Sequence, residues 1–173
     1  MSKEIINYLD NELNSRFAVL NTDYINNHQV AYDFNSNEFH TVLAHLKMNG
    51  WKQLSTLTCI DFIEQNQFQL VAILFNWDKG VHIQVRTRLD RDKPLFRTIT
   101  PIFPGAQYYE REVHEFFGIE FEGNEDSYKN YFLEMWDDIP PLRKDFDSRA
   151  YSDKKYVKRT YSKSYDNKEE GAK

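Results

Sequence analysis

The sequence predicts an α+β fold: a mixed or antiparallel sheet with helices packed on it, followed by an extended C-terminal tail. Three observations carry that expectation. Apolar residues recur at helical spacing in two early stretches, a period of two takes over from Leu54 to Leu89, and after Phe146 no Leu, Ile or Phe occurs. The 173 residues suit one domain of ordinary size with an extension, and we divide them into a compact domain over 1–121 and an extended segment over 122–173.

Ile5, Ile6, Leu9 and Leu13 mark the first helix, with Ser2 as its expected cap and Glu4 in its first turn. Val30, Tyr32 and Phe34 alternate as in a strand. Asn35 followed by Glu38 reads as a capping box, opening a second helix with Phe39, Val42, Leu43 and Leu46 on its apolar face. Gly50 is placed to end it in the left-handed conformation. Leu54–Ile60 reads as a strand, and Phe68–Phe75 as one apolar on both faces, which suits the centre of a covered sheet. After a turn at Asp78-Lys79-Gly80, Val81, Ile83, Val85, Thr87 and Leu89 alternate with His82, Gln84, Arg86 and Arg88. Gly105 opens a last helix with Ala106, Tyr109, Val113 and Phe116 or Phe117 on one side, and Glu110, Arg111, Glu112, His114 and Glu115 on the charged side; Gly118 ends it. Beyond Pro140-Pro141, the tyrosines 151, 156, 161 and 165 stand among lysines without helical period, so the tail must be disordered or laid on a partner.

Hydrophobic residues make up 40% of the chain and 13 Phe, 11 Tyr and 3 Trp supply large rings, so a core is expected despite a mean hydropathy of -0.73. The longest apolar run, Leu70–Phe75, is far short of the roughly 20 residues that cross a bilayer, and the N-terminus offers no signal-peptide core. Cys59 is the sole cysteine, which excludes an internal disulfide and agrees with a reducing compartment. From Asp147 onward eight basic residues face five acidic ones, while the rest of the chain carries 14 basic against 22 acidic. An acidic body repels nucleic acid and anionic lipid, so the basic tail points to a protein partner or a solvated end.

No phosphate-binding glycine motif or nucleophile elbow occurs, and only 6 glycines are present. His40 and His45, five apart, do not share a helix face as i, i+4 metal ligands would, and read as surface residues. His114 and Glu115 are adjacent and therefore diverge by about 100° on a helix, which prevents them from working as an acid–base pair. Two other readings stay open: a nucleic-acid adaptor using the tyrosines and lysines of 151–165 as a stacking arm, and a free-standing enzyme using His82 or His114.

The run Tyr109-Glu110-Arg111-Glu112-Val113-His114-Glu115-Phe116-Phe117-Gly118-Ile119 resembles the signature of the thirty-kilodalton subunit family of respiratory complex I, the NADH:quinone oxidoreductase. That family's pattern is Glu-Arg-Glu, two variable residues, an acid, two apolar residues and Gly-Ile. A second element of the family, Pro-Leu-Arg-Lys-Asp and an aromatic, is met by Pro141-Leu142-Arg143-Lys144-Asp145-Phe146. The chain departs from the pattern of the NADH-linked branch at three places: Gly123-Asn124-Glu125 stands for Gly-His-Pro, Tyr108 for a Trp, and Pro140 for a His. The same subunit type serves membrane-bound [NiFe] hydrogenases.

The resemblance implies a peripheral, non-catalytic subunit on the cytoplasmic face of the membrane, with no direct membrane insertion and no nucleic acid. The family's subunit holds no cofactor of its own. It clamps the large 49 kDa-type, hydrogenase-large-like subunit with its C-terminal extension, beside iron–sulfur subunits of an NADH:quinone oxidoreductase or hydrogenase. The residues carried over as interface or structural motif are Glu110, Arg111, Glu112, Glu115, Phe117, Gly118, Pro141, Leu142, Arg143, Lys144 and Asp145. In this reading the Glu-Arg-Glu group locks the helix to neighbouring backbone or to the partner, and Arg143 with Lys144 anchors the departing chain.

Overall fold

Helix α1 (Ser2–Arg16) and helix α2 (Phe39–Met48) place Leu9, Leu13, Phe39, Val42, Leu43 and Leu46 wholly inside, as their spacing predicts. The computed structural model describes residues 2–157. Five strands form the main sheet: β1 (Asn21–Asn26), β2 (Gln29–Phe34), β3 (Gln53–Phe62), β4 (Gln67–Asn76) and β5 (Val81–Asp90). Their spatial order is β1-β2-β5-β4-β3, with every pair antiparallel except β2 and β5. The sheet is therefore mixed. A short parallel pair, β6 (Leu95–Arg97) and β7 (Glu120–Glu122), flanks helix α3 (Ala106–Phe117) in sequence.

Register explains which face is buried. Phe68, Leu70, Ala72 and Leu74 of β4 lie opposite Leu89, Thr87, Val85 and Ile83 of β5, and these positions meet the helices in one core. The other face carries Val71, Ile73 and Phe75 beside Arg86, Gln84 and His82, and α1, α2 and α3 all lie on the opposite side. The double-sided apolarity of β4 thus does not mean a covered sheet. Neighbouring long side chains such as Arg86, across from Val71, shield that face instead.

Gly50 takes φ +100 at the end of α2, as expected. Two caps differ from expectation. Ser2 is the first helical residue and its hydroxyl lies 3.0 Å from His28 Nδ1. Glu38 is itself the residue before α2 and makes no side-chain cap; its carboxylate accepts the Ala18 N–H at 3.3 Å and ties the α1–β1 linker to α2. His40 and His45 are half-buried rather than free on the surface. His40 stacks on Phe96, and His45 Nε2 meets Glu12 at 2.9 Å.

The tail holds a helix that its apolar spacing does not predict, α4 (Ser148–Lys155). Asp147 caps it, its carboxylate accepting the Arg149 and Ala150 N–H at 3.0 and 2.9 Å. No residue of α4 is buried; it rests on a ring cluster of Trp136, Phe146 and Tyr151. Tyr161 and Tyr165 lie outside the described residues.

Candidate subunit interface

Helix α3 is where the charged motif acts. Its charge suggests that Glu110 faces outward with Arg111, Glu112 and Glu115, but the 100° step of the helix sets it on the face of Ala106, Val113 and Phe117, and the structure buries it completely. Its carboxylate accepts Thr98 Oγ1, the Ile99 N–H and Asn124 Nδ2, each at 2.7 Å. These three donors join α3 to the strand exit after β6 and to the turn after β7. Burial pushes the Glu110 carboxyl above the ordinary glutamate value, against the pull of its three donors. The departure at Asn124 has a structural role here, because its amide is one of the three.

Arg111 and Glu115, one turn apart, hold the loop beyond. Arg111 donates to the Asn130 carbonyl at 2.7 Å and lies over the Tyr131 ring. Glu115 accepts three consecutive backbone N–H groups, from Tyr131, Phe132 and Leu133, at 2.7, 2.8 and 3.0 Å. Glu112 is exposed and takes no part in this group. His114 Nδ1 meets the Ile119 carbonyl, so His114 and Glu115 diverge as the helix geometry requires.

The second motif returns to the body. Phe117 packs near Phe68, and Gly118 ends α3 at φ +79 with its N–H on the His114 carbonyl. The Leu142 N–H donates to the Phe116 carbonyl, and Arg143 Nε to the Phe117 carbonyl at 2.7 Å, with the guanidinium over the Phe68 ring. Pro141 is half-buried beside them. The Lys144 side chain is exposed, but its backbone N–H reaches Asp61 Oδ2 at 2.8 Å, and Asp145 pairs with Arg91. Asp145 therefore bonds to Arg91 of the body and not to its neighbour Arg143.

Asp61 and Arg91 were not among the residues singled out from sequence. The signal was present: in β3, Leu57, Cys59 and Asp61 share the core face, so the alternation puts a carboxylate where an apolar residue belongs. Burial pushes the Cys59 thiol far up, which leaves it a protonated core residue. Among the described residues no group of three His, Cys, Asp or Glu side chains stands ready to hold a metal ion.

Between these anchors the chain points apolar side chains outward. Phe132 is 69% exposed, Met135 92% and Leu142 54%. Met135 also takes φ +57, a left-handed conformation that disfavours a residue with a Cβ by about 1–2 kcal/mol.

Residues 32–152, which include both motifs, match the family described as respiratory-chain NADH dehydrogenase, 30 Kd subunit. The chain belongs to this family. Among its relatives, the mitochondrial NADH-ubiquinone oxidoreductase 30.4 kDa subunit of Neurospora crassa is 35% identical over 119 residues, 66% of this chain and 41% of that protein. The C/D 2 subunit of the NADH-quinone oxidoreductase of Aquifex aeolicus is 30% identical over 148 residues, 84% of this chain but 24% of that protein. The match thus spans less than half the length of either curated relative.

Among solved structures, a chain of the membrane-bound sulfane sulfur reductase, an archaeal respiratory membrane complex, superposes with a TM-score of 0.81 at 29% identity, covering 94% of this chain and 98% of that one. The trypsin-resistant fragment of Nqo5 superposes at 0.58 with 23% identity over 72% of this chain, and shares the fold.

Proposed function

We propose that this chain is a non-catalytic scaffold subunit of a complex I-type oxidoreductase, docking through the segment after β7 onto the large, hydrogenase-large-like subunit. The observation that carries this reading is the loop held by Glu115, whose Phe132 and Met135 face outward. Fixing three backbone amides while exposing large apolar side chains gives the body nothing. A partner that buries them gains a preorganised surface. The Aquifex relative, named C/D and far longer than the match, supports a neighbour of the D type. In this role the chain holds no cofactor, and iron–sulfur clusters sit in the partner subunits. It lies peripherally against the cytoplasmic face of the membrane through the complex; among the described residues no helix is long and apolar enough to cross a bilayer.

The test is recovery of the large subunit with the tagged chain. Phe132→Ser and Met135→Ser alter exposed side chains, so the thermal midpoint stays put while recovery falls about tenfold, the loss of one interface anchor of about 1.4 kcal/mol. Normal recovery from both variants refutes the docking reading.

A second setting is favoured by one observation: the archaeal sulfane sulfur reductase chain aligns with this one almost end to end. The complex is then a membrane-bound hydrogenase or a related assembly without NADH as donor. Identifying the large subunit that co-purifies, and assaying NADH oxidation by the native complex, separates the two.

A further inference from the structure

Asp61 and Arg91, which lie outside both recognised motifs, tie the docking segment to the body. Asp61 is 3% exposed, and its oxygens take Arg91 Nε and Nη2 at 2.9 and 3.1 Å. Oδ2 accepts the Lys144 N–H as well, while Arg91 Nη2 reaches on to Asp145 Oδ1 at 2.6 Å. Arg91 and Arg143 both lie over the Phe68 ring, 5.6 and 5.2 Å from its centre. One buried carboxylate, one guanidinium and one ring of the body thus grip three consecutive residues of the segment, 143–145.

The chemistry of the grip is specific. A buried carboxylate needs a cation and hydrogen bonds, and here the fork of Arg91 supplies the charge while the segment supplies the remaining donor. A planar guanidinium can join two carboxylates in fixed directions, and an ammonium cannot reproduce that span. Lys144 contributes only its backbone, so the grip reads where the chain runs rather than which side chain stands at 144. Glu115 fixes residues 131–133 and this cluster fixes 143–145, so the outward Met135 and its neighbours lie on a loop anchored at both ends.

We propose that Asp61 and Arg91 are positioning residues for docking: a clasp on the body that sets the course of the segment and hence how Phe132, Met135 and Leu142 meet the partner. This rests on the docking reading above. Releasing the clasp weakens the hold on residues 144 and 145 and leaves that end of the segment to the bonds of Leu142 and Arg143 with the end of α3, so the partner must order more of it at the moment of binding.

The experiment uses the full chain with Asp145→Asn and Arg91→Lys. Asp145→Asn loosens only the half-exposed end of the clasp and keeps the buried Asp61–Arg91 pair, so it leaves the body folded even if Arg91→Lys does not. Trypsin cuts after Arg143 and Lys144, within the gripped residues. Cleavage there is expected to quicken about fivefold in Asp145→Asn and more in Arg91→Lys, and the dissociation constant for the purified large subunit to rise about fivefold or more. Unchanged cleavage in both variants overturns the clasp, and faster cleavage with unchanged affinity overturns its role in docking. If the wild-type chain does not bind the large subunit while the variants are cut faster, the docking reading fails and the clasp stands.

Discussion

Gly118 and the guanidinium of Arg143 share one site: a Cβ built on Gly118 stands 3.1 Å from Arg143 Nη2 and 3.1 Å from Pro140 Cγ. The end of α3 and the returning second motif are thus fitted to one another although the whole 120s and 130s of the chain separate them. A glycine that only had to end a helix would not need its far side empty as well.

Gly118→Ala tests this. The left-handed backbone alone disfavours a Cβ by about 1–2 kcal/mol, and displacing Arg143 adds to it, so denaturant unfolding should report a loss of about 2–3 kcal/mol. Gly105→Ala is the control, because Gly105 has an ordinary φ of -64 and open space around it. It should be neutral or slightly stabilising, by up to about 1 kcal/mol.

Glu110 gives a pH signature. Its folded pKa is raised by burial, so the folded state holds the proton more tightly than the unfolded chain, and Glu110 destabilises the fold increasingly as pH rises from about 4.3 through the raised value. Gln cannot titrate. The thermal midpoint of Glu110→Gln should therefore lie furthest below that of the wild type at pH 4 and approach it toward pH 7. A gap that widens with pH would mean that the ionised form is the one the three donors favour. Glu110→Ala, which strands those donors and likewise cannot titrate, should lose about 3–5 kcal/mol at pH 4 and less toward pH 7.

How far the sequence was legible follows from the kind of signal each part leaves. The strict alternation of β5 and the helical spacing of Leu9 and Leu13 act through a local period, so those elements stand where they were read. The parallel pairing of β2 with β5 leaves no local trace, because distant residues such as Val30 and Ile83 meet only through the fold. Glu110 shares the face of Ala106, Val113 and Phe117, so its burial is legible in the helical period although its charge argues for exposure; that Thr98 and Asn124 wait there as donors is not, because they come from distant parts of the chain. Helix α4 leaves no period to read because it has no apolar face; its contacts, Tyr151 on Trp136 and Phe146 and Lys155 on Asp137, join residues with no common spacing. The two family motifs were readable as words. That Arg143 ends on the Phe117 carbonyl, joining the second word to the first, was not.

Helix α4 is the last element of the described residues. From composition alone, removing everything after Phe146 should leave the body unchanged, because no Leu, Ile or Phe is lost. The structure narrows that expectation. Tyr151 stacks on Trp136 with ring centres 4.6 Å apart, and Lys155 reaches Asp137, so α4 covers one side of the ring cluster that holds the 136–146 loop. The main core is untouched, since no residue of α4 is buried and the core cluster ends at Phe121. A chain ending at Phe146 should therefore unfold within about 5 °C of the full one, a shift of the size that ~1 kcal/mol produces in a domain of this length. Its Trp136 emission, isolated by subtracting the spectrum of Trp136→Phe in each background, should move to the red as the indole loses its stacking partner. A fall of more than about 10 °C would mean that the tail carries core packing after all, and an unshifted emission would mean that α4 does not rest on Trp136 in solution.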